Sequence, residues 1–118
     1  MGEKGLREKI LACDDTLKQL VEIPEWGVEL EVRSITGRQR NEVYEGATNS
    51  QGKVDLTMVY ANLLMSAVFD PKTGKPVFRK GDGKELMGKV GSAIERLLEV
   101  AQRLGGIGGR AIEEAEKN

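Results

Sequence analysis

The chain has 118 residues, 39% of them hydrophobic and 31% charged, a balance that suits one globular domain with a single core. Its 18 basic and 19 acidic residues give a formal net charge of −1, so no overall positive field attracts nucleic acid or an anionic membrane. With no histidine and one cysteine, Cys13, the composition excludes histidine-based catalytic and metal sites, an intrachain disulfide and a cysteine zinc cluster.

The first predicted element is a short helical arm over residues 6–13. Leu6, Ile10 and Leu11 recur there at helical spacing. A helix of this length is marginal on its own in water. We therefore expect the arm to dock on another surface.

A β-hairpin is predicted next, with strands over residues 16–23 and 28–35. Pro24 fixes its own φ at the corner of the turn, and Gly27 can adopt the positive φ that a tight reversal needs. Apolar and charged residues alternate along the second strand, which predicts a small sheet covered on one side. Trp26, the only tryptophan, is predicted to be the structural anchor that packs the hairpin onto the helices, with a partner hot spot as the alternative.

Two helices are predicted in the middle of the chain, separated by a polar, glycine-containing loop over residues 46–53. Thr36 is the predicted N-cap of a helix over residues 37–45, and Asp55 caps a helix that runs to residue 69. The second helix is apolar nearly all round. This pattern predicts either a central buried helix or one with part of its circumference facing another subunit.

The last long helix is predicted over residues 84–104, with Asp82 as its cap and glycines at its end. Its apolar residues step by three and four, which is the spacing of a heptad seam. Antiparallel packing on the preceding helix is one interpretation, and a helical contact between subunits is the other. Gly88 and Gly91 should weaken the first turns of this helix.

Together these elements predict an α+β fold that is mainly α, with an N-terminal β-hairpin packed on a small bundle of three to four helices. The core must be mostly aliphatic, since the chain has one Trp, two Tyr and two Phe residues. Residues 1–104 are predicted to form a single domain and residues 105–118 a flexible C-terminal tail. No stretch is long and apolar enough for a signal peptide or a membrane span, and a cytoplasmic setting is expected.

Motifs that could carry chemistry fail in their context. Residues 106–111 match the letters of a dinucleotide fingerprint but follow a helix rather than a strand. Residues 81–84 lack the other positions of a phosphate-binding loop, and the residues after Asp70 do not supply the oxygen ligands of a calcium loop. We therefore expect no enzyme, no cofactor and no metal site.

Several short motifs resemble, in their order along nearly the whole chain, the tail assembly chaperones of long-tailed (siphovirus-like) bacteriophages. These motifs are Ile23-Pro24-Glu25-Trp26-Gly27, Thr36-Gly37-Arg38-Gln39-Arg40, Asp70-Pro71-Lys72-Thr73-Gly74-Lys75-Pro76-Val77-Phe78, Asp82-Gly83-Lys84-Glu85-Leu86, Leu104-Gly105-Gly106-Ile107 and the acidic terminus Glu113-Glu114-Ala115-Glu116-Lys117-Asn118. The resemblance implies a non-catalytic protein that binds the tape measure protein and keeps it soluble during tail tube polymerisation. It also implies absence from the mature virion.

The resemblance further implies a homo-oligomer that acts in the cytoplasm of the infected bacterial host. Many such chaperones are also made in a longer form by ribosomal frameshifting, and the C-terminal extension recruits the tail tube protein. Glu116-Lys117-Asn118 can be encoded as GAA AAA AAC, a run on which a ribosome can slip back by one base. No nucleic-acid or membrane partner is expected.

Methionine-containing apolar helices suit a chaperone that covers apolar helical stripes reversibly. The candidate partner-binding residues on the two long predicted helices are Met58, Met65, Phe69, Met87, Val90 and Ile94. One alternative function is a structural component of the tail or of the head-to-tail junction. Another is a small DNA-binding regulator. Such a protein needs a basic face, and the acidic residues interleaved with the basic ones prevent a continuous face of this kind.

Overall fold

The computed structural model describes residues 5–105, which form a three-stranded antiparallel sheet and five α-helices. The predicted α+β, mainly α fold is confirmed. The flexible tail was predicted over residues 105–118; Gly105 is the last residue of the last described helix, and the rest of the predicted tail and the fingerprint-like motif lie outside the described residues. In chain order the elements are α1 (Leu6–Ala12), β1 (Lys18–Ile23), β2 (Val28–Arg33), α2 (Gly37–Glu45), α3 (Leu56–Ala67), β3 (Val68–Phe69), α4 (Gly83–Met87) and α5 (Gly91–Gly105).

The predicted hairpin is present as the antiparallel pair β1 and β2, in which Ile23 lies opposite Val28. Gly27 has a φ of 64°, as the tight turn requires. Both strands are shorter than predicted because a side chain ends the ladder. Ser34 Oγ accepts a hydrogen bond from the Leu17 N–H at 2.9 Å, in place of a backbone carbonyl.

One face of the sheet is buried, as the alternation in β2 predicts. Residues of β1 and β2 that share this face in the strand register supply four side chains to the core, namely Val21, Ile23, Leu30 and Val32. The charged residues between them point away from the core and are exposed or half-buried. The hairpin therefore forms a single layer of sheet that packs with one face on the helices.

The helix predicted to run to residue 69 ends at Ala67, and that boundary was wrong. Val68 and Phe69 form β3, which pairs with Val32 and Glu31 of β2. Pro71 disfavours a helical conformation at the residue before it, so the helix cannot continue through this turn. The two extended residues that follow the helix pair instead with the edge of β2 that β1 leaves free.

The predicted N-caps of α2 and α3 are present. Thr36 and Gln39 form a reciprocal capping box, with Thr36 Oγ1 accepting from the Gln39 N–H at 3.1 Å and Gln39 Oε1 accepting from the Thr36 N–H at 2.9 Å. Asp55 Oδ1 accepts from the N–H of Thr57 at 3.0 Å and of Met58 at 3.4 Å. These bonds satisfy donors that the first turn leaves without a helical partner.

The single helix predicted over residues 84–104 is two helices, α4 and α5, separated at Gly88. The predicted capping role of Asp82 was also wrong, because its side chain accepts from the Arg79 N–H at 2.7 Å and makes no cap bond to α4. At Gly83, α4 crosses α3 so closely that an added Cβ would lie 3.3 Å from Met65 Cε. Residues 88–90 then separate α4 from α5.

The core lies between the sheet and the two longest helices. The buried residues of α3 are Val59, Ala61, Leu63, Leu64 and Ala67, and those of α5 are Ala93, Ile94, Leu97, Val100 and Ala101. The buried side of α5 packs on α3, β1 and β2, so packing within the domain accounts for this part of the heptad pattern. Among the described residues, no helix is both long and apolar enough to cross a membrane.

Candidate functional site

The six predicted partner-binding residues differ in burial. Val90, in the break between α4 and α5, is 52% exposed. Ile94 is only 6% exposed and belongs to the core, so its side chain is not available to a partner in this monomer. The remaining four are half-buried, namely Met58, Met65, Phe69 and Met87.

Two of the half-buried residues are already in contact with other side chains of the chain. The Arg33 guanidinium carbon lies 4.0 Å from the centroid of the Phe69 ring, a cation–π contact, and Arg33 also pairs with Glu31. Met65 is covered at one end by Gly83 of α4. A partner would have to displace Arg33 to reach the face of Phe69.

An open apolar groove of about 580 Å³ lies between three parts of the chain. These are the turn of the hairpin, the segment that follows β3, and helix α4. We call this groove the hairpin groove. Its apolar lining consists of Trp26, Val28, Leu30, Val77, Phe78 and Leu86, and its rim of Asp82, Glu85 and Lys89. Val28 is 42% exposed and Val77 is 39% exposed, so the groove presents apolar surface that no residue between 5 and 105 covers.

Backbone hydrogen bonds in the turn after β3 bring Val77 into the groove. Asp70 donates its N–H to Lys75 O and accepts from the Gly74 N–H, each at 2.8 Å, and Gly74 has a φ of 73°. Val77 N–H then donates to Val68 O at 3.2 Å, which aligns the returning chain beside β3. The groove wall is therefore set by a turn that only glycine accommodates without strain.

Glu25 fastens the other wall, the hairpin turn, to the N-terminal end of α5. Ser92 Oγ donates to Glu25 Oε2 at 2.7 Å, and Arg96 donates to Oε1. The hydrogen bond from Ser92, a backbone hydrogen bond and the bond from Arg96 lower the pKa of Glu25 from 4.5 to about 2. The Glu25 carboxylate therefore stays ionised, and its two contacts hold the hairpin turn beside Trp26 against α5.

Trp26 is half-buried and packs against the core while it lines the groove. This placement suits the predicted anchor, and it leaves part of the ring open to a partner. The anchoring role itself stays a prediction. Within the described part of the chain, no group of three or more acidic or cysteine residues could hold a metal ion.

Sequence reasoning missed both the groove and the Glu25 contacts. The alternation that contains Val28 and Leu30 and the short extended piece Val77-Phe78 were visible, but nothing local joins them. Glu25 and Ser92 are 67 residues apart in the chain. An acidic residue in the turn and a serine at a helix start were the only signals, and many pairs would have fitted them.

Two of the three comparisons with known proteins found a match. The model of the phage tail assembly chaperone family matches residues 5–118. The solved structure of the bacteriophage HK97 tail assembly chaperone is similar to this chain with a TM-score of 0.61 and 23% sequence identity, over 84% of this chain and 91% of that chain. At this identity the likeness shows a shared fold. A search of curated proteins gave no match.

Proposed function

This chain belongs to the phage tail assembly chaperone family, and we propose that it binds the tape measure protein and keeps it soluble while the tail tube polymerises around it. The observation that carries the proposal is the family match over residues 5–118. The family is non-enzymatic. The proposal includes no nucleic-acid or membrane partner, in keeping with the formal net charge of −1.

The proposed contact surface for the tape measure protein comprises the accessible members of the sequence-derived set. These are Val90 and the half-buried Met58, Met65, Phe69 and Met87. Methionine side chains adapt to different apolar surfaces, and half-buried side chains can contact a partner without leaving the core. Ile94, one turn beyond Val90, contributes to the surface only by supporting α5 from inside the domain.

Co-expression with the tape measure protein tests the contact surface. Val90→Glu places a charge where the side chain is 52% exposed, so the monomer should fold as before. We expect it to reduce co-purification of the tape measure protein about tenfold, since a buried unpaired charge is costly. Leu17→Glu, at an exposed leucine before β1, is the matched control and should bind normally. Unchanged co-purification of the Val90→Glu variant would remove Val90 from the surface.

A chaperone of this kind acts in the cytoplasm of the infected host and leaves before the virion is complete. We expect the chain in lysates of infected cells and its absence from purified virions by mass spectrometry. A permanent component of the tail or of the head-to-tail junction would instead be recovered at a fixed ratio to the tube protein. That result would overturn the chaperone proposal.

The proposal extends to self-association and to a C-terminally extended form that recruits the tail tube protein. The second part rests on Glu116-Lys117-Asn118, whose codons can form a slippery run. Sequencing the gene at these codons tests it directly. A codon set without a slippery run, or no overlapping reading frame beyond it, would remove this argument for the longer product.

A further inference from the structure

The helix α1 has apolar residues but makes no core contact of its own. None of its seven residues is buried, and Leu6 and Ile10 are 76% and 63% exposed. An isolated helix of this length is marginal in water. Its apolar residues therefore favour a partner surface on which the helix is stabilised by packing.

The charges of α1 border its apolar stripe. At 100° per residue, Leu6 and Ile10 lie on one face, with Arg7 on one side of it and Lys9 on the other. Glu8 lies on the opposite face, and its 3.4 Å contact with Arg7 is exposed and therefore weak. The arm thus presents Leu6 and Ile10 between two cations, with the exposed Leu11 on the far side of Arg7.

The hairpin groove has the complementary arrangement. Its floor is apolar and open, and its rim carries Asp82 and Glu85 against the single cation Lys89. A short helix with cationic flanks can bury its apolar stripe on this floor and pair its flanks with the acidic rim. The opposite charge pattern, an acidic arm, would be repelled by the same rim.

In the structure the arm is not seated in the groove of its own chain. None of residues 6–12 lines the hairpin groove, and none of them is buried. Leu17 exchanges hydrogen bonds with Ser34 at the start of the hairpin, whereas Trp26 lies at its turn, about 20 Å away at ~3.3 Å per residue. The groove and the arm of one chain are therefore both left open to a second copy.

We propose that the α1 arm of one copy docks in the hairpin groove of a second copy of this chain. The inference rests on the self-association included in the proposed function, and it gives that self-association a surface. Each docking contact buries only a short helix, so the association is reversible and depends on concentration. The arm and the groove are different surfaces, so each copy can give one contact and receive another.

Two single variants test the two sides of the contact. Ile10→Glu changes the arm, and Glu85→Arg reverses a charge on the rim at an exposed residue. Each should weaken self-association at least tenfold in sedimentation velocity while leaving the circular dichroism spectrum unchanged, because neither side chain is in the core. Leu17→Glu is the matched control and should associate like the wild type.

Mixing variants gives the sharper result. Val77→Glu disables the groove but keeps the arm, whereas Ile10→Glu keeps the groove. Each should be monomeric alone, and a mixture of the two should form a 1:1 pair that goes no further. If Val77→Glu does not fold, Glu85→Arg takes its place. A mixture that stays monomeric overturns the proposal.

Two further outcomes also overturn the arm contact. Self-association of Ile10→Glu at wild-type strength would show another interface. A wild type that is monomeric at every concentration would remove self-association itself. Binding of the wild type to the tape measure protein, measured separately, remains the test of the chaperone function, so the two failures can be told apart.

Discussion

The hairpin turn and the α1 arm lie at opposite ends of the same N-terminal segment and are held very differently. The turn is fastened by Ser92 and Arg96 through Glu25, and the strands beside it supply the core. The arm carries comparable apolar residues with none buried. The contrast separates apolar residues that stabilise the fold from apolar residues that the fold leaves exposed, because apolar content alone does not tell them apart.

The largest expected effect comes from one substitution made on each side of this contrast. Leu63→Ala removes a side chain that is 0% exposed, and we expect it to lower the free energy of unfolding by about 2–5 kcal/mol. Leu11→Ala on the arm should change it by less than about 0.5 kcal/mol. Chemical denaturation measures both. Equal losses would mean that the arm is part of the core and would end the comparison.

A smaller loss is expected at the turn that holds one wall of the groove. Gly27→Ala should cost about 1–2 kcal/mol, because the φ of 64° is strained for a residue with a Cβ. Gly37→Ala is the control, since its φ is ordinary and an added Cβ there meets nothing within 4 Å. Thermal unfolding of both variants checks this. A neutral Gly27→Ala would mean that the turn relaxes without cost.

The Glu25 contacts should appear as a dependence of stability on pH. The pKa of Glu25 is lowered to about 2, so its contribution is present above the ordinary value of 4.5 and is lost as the pH falls towards 2. We expect Glu25→Gln to lower Tm at pH 7 and to match the wild type near pH 2. Glu99→Gln, on the exposed face of α5, is the control. A Tm difference that does not vary with pH would contradict this account.

The smallest effect is expected at Tyr44, which lies away from both regions. Its hydroxyl is buried and has no hydrogen-bond partner among residues 5–105. Tyr44→Phe should leave stability unchanged or raise it by up to about 1 kcal/mol, because an unsatisfied buried hydroxyl is removed. Differential scanning calorimetry would detect the change. A loss of stability would reveal a partner for the hydroxyl.

Local sequence signals predicted much of this fold. The bounds of α2 and the caps Thr36 and Asp55 depend on residues within three positions of one another. The turn at Gly27 depends on one backbone conformation. Features of this kind can be read from a few adjacent residues, and they were predicted correctly.

Features that depend on distant parts of the chain were missed. β3 exists because β2 offers a free edge to Val68 and Phe69, and the close approach of α4 to α3 at Gly83 joins two separate helices. The groove joins three separate segments. For the same reason the sequence pattern placed Ile94 among the contact residues, although it packs in the core. Helical spacing shows which residues share a face, but it does not show what covers that face.

The central claim is that this chain keeps the tape measure protein soluble by binding it. Expression of the tape measure protein with and without this chain, followed by measurement of its soluble fraction and of co-purification, tests that claim most directly. We predict a soluble complex when both proteins are present and aggregation of the tape measure protein when it is alone. A tape measure protein that is equally soluble in both cases, or that does not co-purify, would contradict the account.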